Sequence, residues 1–135
     1  MVEYAKLFTE HMDSEGIKYT VQKEHVVKVV YTGENKDDIA VFVIFDEDGD
    51  AYVQFKCWDI EKFKGKRENA LAVCNSLNAE YRWVKFYIDD EDDIVASIDA
   101  MIDYTSCGKE CLMLVHRVVS IVDEAYPQIA KARWA

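Results

Sequence analysis

The run Ile39–Phe45 (IAVFVIF) constrains the fold of this chain more than any other segment. Its odd and even positions are both apolar, so a strand here has no polar face to give to water. Such a strand belongs in the middle of a sheet, covered on both sides. The run is of strand length and far short of the roughly 18 residues that span a bilayer. No other apolar run approaches that length, so no membrane partner is expected.

The segments around it alternate with period two. Tyr19–Gln22 and Val26–Tyr31 are rich in β-branched and aromatic residues, with Lys23–Glu24–His25 as a tight connection. Asp46–Asp50 (DEDGD) reads as a hairpin turn, with Gly49 supplying the permissive backbone. Ala51–Trp58 places Val53, Phe55 and Cys57 on one face and Tyr52, Gln54, Lys56 and Trp58 on the other. Tyr81–Ile88 is read as a strand with Val84, Phe86 and Ile88 on one side and Trp83, Lys85 and Tyr87 on the other. After the turn Asp89–Asp93, Ile94–Ile102 returns with Ile94, Ala96, Ile98, Ala100 and Ile102 inward.

Helices flank these strands. Tyr4, Leu7, Phe8, His11 and Met12 make one apolar stripe, ended by Gly16. Ala70, Leu71, Val73, Cys74 and Leu77 make a second. Thr105 or Ser106 caps a long last helix, apolar around most of its perimeter, which Pro127 should kink or break. The order α-β-β-β-β-α-β-β-α specifies an α+β fold, an antiparallel β-sheet packed by N-terminal, central and long C-terminal helices.

A length of 135 residues fits one domain, 1–135, and the chain shows no repeat or linker. Half the residues are apolar, with five Gly and one Pro, which excludes a disordered or collagenous chain. Sixteen basic against 26 acidic residues leave a net charge of −10, the wrong sign for nucleic acid. The acidic, amphipathic N-terminus is neither a signal peptide nor a presequence, so a cytoplasmic location is expected. The four cysteines read as free, mostly buried thiols.

Few residues carry a chemical signature. Asp46, Asp48 and Asp50 match the first ligands of a calcium loop, but Ala51 and Cys57 stand where its glycine and glutamate belong. Cys107 and Cys111 lie at i, i+4 near a helix N-terminus, yet the spacing is not C-x-x-C and no second pair exists for zinc. Nucleophile elbows, phosphate loops and metalloprotease motifs are absent. Neither an enzyme nor a cofactor or metal is expected.

Two surfaces remain. Tyr52, Lys56, Trp58, Trp83, Lys85 and Tyr87, joined by Phe42 and Ile44, would line the outer face of the sheet, too aromatic for one that meets only water. That face would hold a protein or peptide, or a second copy in a homodimer, unless the last helix covers it. The basic connection Lys62, Lys64, Lys66 and Arg67 is the alternative, an anion- or nucleotide-responsive site at a helix N-terminus.

The helix end Cys74-Asn75-Ser76-Leu77-Asn78, the strand Arg82-Trp83-Val84-Lys85-Phe86-Tyr87-Ile88-Asp89, an acidic turn and the strand Ile94–Ile102 carry a resemblance over nearly the whole chain. The chain resembles the YbjN family of small bacterial proteins, departing from it in a turn, Asp89–Asp93, without glycine. The resemblance implies a type III secretion chaperone-like fold, commonly homodimeric and binding protein segments. It further implies a sensory transduction regulator without enzymatic activity or catalytic residues. Asn75 and Asn78 read as structural residues of the helix end.

Overall fold

A computed structural model describes all 135 residues. Helix α1 (Glu3–Ser14) precedes strands β1 (Thr20–Lys23), β2 (Val26–Tyr31), β3 (Ile39–Phe45) and β4 (Tyr52–Cys57). Helix α2 (Arg67–Glu80), strands β5 (Lys85–Ile88) and β6 (Ile94–Met101), and helix α3 (Cys107–Arg133) follow. The element order is the expected one. All neighbouring strands are antiparallel, in the spatial order β1-β2-β3-β4-β6-β5. Strand β6 thus enters between β4 and β5.

All three helices pack on one face. Helix α3 lies across β3, β4 and β6, α1 sits beside it against β2, and α2 sits against β5. Under them Val27, Val29, Val41, Val43, Phe45, Val53, Phe55 and Ile98 are buried, in a core cluster of 34 residues. The apolar perimeter of α3 is absorbed because α1, α2 and the sheet all touch it. Nothing is left over to cover the second face, so β3 is central but covered by helices on one side only. Ala40, Phe42 and Ile44, its other face, are half-buried.

The cap of α3 differs from expectation. Neither Thr105 nor Ser106 caps the helix through its own side chain. Asp103 Oδ1 instead accepts from the amides and hydroxyls of both residues. These four donors, the Thr105 hydroxyl foremost, hold the Asp103 carboxyl below its usual range.

Pro127 does not break α3, which runs through it to Arg133. Proline removes the amide that would bond the Asp123 carbonyl one turn back. The Asn35 side-chain amide donates to that carbonyl instead, at 3.1 Å. The Asp123 carboxylate in turn accepts from the amides of Glu34, Asn35 and Lys36. The β2–β3 loop and the proline turn therefore satisfy each other, with Gly33 so close that a Cβ there would collide with the Asp123 carboxylate.

Asn78 closes the β5 edge of the sheet. Its side chain accepts from Phe86 N at 2.7 Å and donates to Phe86 O at 2.9 Å, replacing a neighbouring strand. It is structural, as expected, but its partner is a strand rather than the end of its own helix.

Candidate functional site

The helix-free face of the sheet is ordered by strand register. One row crosses it as Lys28, Phe42, Lys56, Ser97 and Lys85. Three lysines thus line up across strands far apart in sequence. Aromatic rings sit among them, with Phe42 and Trp58 meeting edge-on at 5.0 Å between centroids. Lys56 Nζ lies 5.5 Å from the Trp58 ring centre and 5.7 Å from that of Tyr87. Lys85 Nζ lies 5.4 Å from Tyr87, and Lys28 Nζ 5.9 Å from Phe42. Each contact contributes roughly 0.5–1 kcal/mol at an exposed site, and together they hold the lysine heads over the rings.

Toward the other end of the strands the chemistry reverses. The next row carries Val26, Ile44, Gln54 and Asp99, with Gln54 Nε2 donating to Asp99 Oδ1 at 3.0 Å. Beyond it Tyr52 pairs with Met101, which is 86% exposed. Tyr52 donates its hydroxyl to Asp46 Oδ1 at 2.7 Å, and this bond, with the Asp50 amide, holds the Asp46 carboxyl below its usual range. The same bond raises the Tyr52 hydroxyl. His25 Nε2 stands 3.2 Å from Glu47 Oε1 beside them. An open groove of about 710 Å³ runs along this acidic end.

Tyr52, Lys56, Trp58, Lys85 and Tyr87 therefore share one face, as the alternation predicts. Trp83 does not join them. It lies against α3 on the opposite side, with the Arg117 guanidinium 5.4 Å from its ring centre. Strand β5 begins only at Lys85, and Trp83 has φ +75 with Val84 N donating to Arg82 O at 2.9 Å. That is a γ-turn centred on Trp83, which breaks the period-two count before the strand starts. Lys28 and Asp99 belong to the face as well; alternation along β6 sends Asp99 outward, but only the strand order sets Lys28 in the row of Lys56 and Asp99 beside Gln54.

The basic connection is occupied from within. Arg67 Nη1 donates to Asp92 Oδ1 at 2.7 Å and Lys62 Nζ stands 4.0 Å from Asp93 Oδ2. Lys66 Nζ donates to the Ala135 oxygen at 3.1 Å, while Lys64 is exposed. The turn Asp89–Asp93 thus faces this loop and neutralises it. Burial pushes the Asp93 carboxyl up, and the Lys62 ammonium acts against that rise.

The thiols are packed groups. All four cysteines are free and buried. Desolvation pushes Cys57 up to about 12 and Cys74 up to about 11. Cys107 and Cys111 have sulfurs 4.0 Å apart, and their mutual hydrogen bond together with burial raises the Cys111 thiol. No group of three His, Cys, Asp or Glu side chains is arranged to hold a metal ion. No helix is long and apolar enough to cross a membrane.

Comparison with known proteins bears on the fold and the family. The family model described as "YbjN: Putative bacterial sensory transduction regulator" matches residues 5–131. A crystal structure of YbjN, "a putative transcription regulator from E. coli", superposes with a TM-score of 0.69 at 11% identity, covering 94% of this chain and 91% of that one. A chain of the heterodimeric ExoU–SpcU complex from the type III secretion system of Pseudomonas aeruginosa superposes with a TM-score of 0.55 at 12% identity. The aligned parts are 91% of this chain and 94% of that one. No curated protein sequence matches the chain.

Proposed function

Because the chain belongs to the YbjN family, we propose that it is a non-enzymatic, one-domain regulatory module that takes a protein chain onto the open face of its sheet. One observation carries this reading. A six-stranded sheet presents Phe42, Tyr52, Trp58 and Tyr87 on a face that no helix covers. Aromatic rings so placed offer large contact area at little ordering cost, and buried Trp and Tyr anchors dominate binding energy. The ExoU–SpcU complex, whose chain shares the fold, is heterodimeric, which agrees with a protein partner. A bacterial cytoplasm suits the four free thiols. The loop 62–67 supports no second reading, because Arg67 and Lys62 already face Asp92 and Asp93.

The test is crosslinked capture from the host with the wild type, Trp58→Ala/Tyr87→Ala and Lys64→Ala run side by side. The reading expects a partner that the double variant loses and Lys64→Ala keeps, with all three proteins melting cooperatively. Equal recovery by all three would remove the sheet face from the interaction.

A further inference from the structure

Two outward-facing residues of β6 are buried although no helix covers them. Val95 is wholly buried and Ser97 is 4% exposed on the helix-free face, so side chains of the flanking strands close over them. Strand register names those neighbours. Ser97 stands between Lys56 of β4 and Lys85 of β5, and Val95 lies beside Tyr87, with Trp58 following the end of β4 on the other side. The floor of this shallow trough is β6.

The Ser97 hydroxyl has no hydrogen-bond partner within the chain. No side-chain oxygen without a partner is sealed from the surface, so this hydroxyl opens into the trough. Buried polar groups are nearly always paired, and one left open points to a partner from outside. Its two neighbours supply charge. Lys56 Nζ lies 5.7 Å and Lys85 Nζ 5.4 Å from the centre of the same ring, Tyr87. Neither ammonium meets a carboxylate. The chain's lysine and arginine ion pairs are Lys62–Asp93 and Arg67–Asp92, and Asp99, the acid next along β6, accepts from Gln54. Two ammonium groups drawn to one ring repel each other, and an anion between them relieves that repulsion.

We propose that Lys56, Ser97 and Lys85 form a carboxylate-binding site that selects the partner chain by an acidic side chain. The inference rests on the reading of this face as a protein-docking surface. A carboxylate over Ser97 accepts from the hydroxyl and from both ammonium groups, which leave the rings by side-chain rotation. Charge-assisted hydrogen bonds of this kind outweigh exposed cation–π contacts. The rings of Trp58 and Tyr87 are then free for an apolar side chain. They lie one outward-facing residue further along β6, about 7 Å away, the spacing of residues i and i+2 in an extended segment. Asp99 lies on the opposite side of Ser97 and repels a second acid there. A phosphoryl dianion fits less well than a carboxylate, because the chain's net charge of −10 penalises it more.

Capped peptides test the site by NMR titration of the full chain, read at the Ser97 amide and the Trp58 indole N–H up to about 10 mM peptide. The probe is acetyl-Ala-Glu-Ala-Leu-Ala-amide. One control carries Gln for Glu, and a second sets Glu and Leu side by side. The probe should shift both signals, and each control should bind at least about fivefold more weakly. Lys56→Gln/Lys85→Gln should remove the preference for Glu over Gln. Ser97→Ala should weaken the probe at least about threefold yet melt no lower than the wild type, because its hydroxyl has no partner to lose. Equal binding of the Glu and Gln peptides, or no shift with either, would overturn the site. Equal binding of the second control would overturn the two-residue spacing. Inorganic phosphate binding more tightly than the probe would overturn it in favour of a phosphoryl ligand. A captured partner lost by Trp58→Ala/Tyr87→Ala but kept by Lys56→Gln/Lys85→Gln and by Ser97→Ala would overturn the site and leave the docking reading standing.

Discussion

Asn78 shows how much one side chain does in this fold. Its amide group spans the N–H and C=O of Phe86, the two backbone groups an edge strand would leave open. Asn78→Ala should lower stability by about 1–3 kcal/mol in urea unfolding, because both groups lose their partner. Asn78→Asp should do no better at neutral pH, since a carboxylate accepts from Phe86 N but faces Phe86 O with nothing to donate. Asp123 adds a pH dependence. Burial pushes its carboxyl up, but the amides of Asn35, Glu34 and Lys36 outweigh this and leave it below its usual value. A carboxyl lowered by folding stabilises at pH above its unfolded value, near 3.9, and loses that contribution as pH falls through the folded value. The stability gap between wild type and Asp123→Ala should therefore be constant from about pH 5 to 7 and shrink below about pH 4. At this scale the sequence was readable wherever a regular strand held its period. Tyr52, Lys56 and Trp58 follow the alternation of β4, whereas Trp83 escapes it because a γ-turn precedes β5. A positive φ at a tryptophan has no sequence signal, since bulky residues rarely adopt it.

At the scale of elements, α3 depends on a residue outside itself. Pro127 frees the Asp123 carbonyl and Asn35 occupies it, so the helix continues where proline would be expected to interrupt it. A double-mutant cycle of Asn35→Ala and Pro127→Ala should show coupling of about 0.5–1 kcal/mol in urea unfolding. Asn35→Ala costs more beside proline, because an alanine amide can bond the carbonyl itself. The crossing of α1 and α3 is set by a small residue. A Cβ on Gly108 would come within 2.5 Å of His11 Cβ and 3.3 Å of the Leu7 carbonyl. Gly108→Ala should therefore destabilise by about 1–3 kcal/mol, through separation of the two helices, measured by thermal or urea unfolding. Every helix and strand is legible in the sequence, most of them from apolar periodicity, β3 from its unbroken apolar run and β1 from β-branched residues. The fate of Pro127 is not, because its compensating donor lies far away in the sequence.

The whole molecule adds what neither residues nor elements carry, the order of strands in space. Placing β6 between β4 and β5 sets Lys85 two strands from Lys56 and completes the lysine row. Residue chemistry identified the aromatic face, but the row needs the register, and register needs the topology. The side chosen by α3 is likewise a global property. Its apolar perimeter suits a helix that covers a second face, a dimer contact, or a helix wedged between α1, α2 and the sheet, and the fold takes the last. On the proposed reading the sheet face, and not the helical side, receives the partner chain. The most direct measurement is one binding titration, against the captured partner or a second copy, comparing Trp58→Ala/Tyr87→Ala with Trp83→Ala. Trp58 is 37% exposed and Trp83 63%, so exposure alone would favour Trp83 as the anchor. The double variant should lose at least about thirtyfold in affinity, corresponding to a ~2 kcal/mol anchor, and Trp83→Ala should not change it. Loss with Trp83→Ala and retention by the folded double variant would place the interface on the helical side and contradict it.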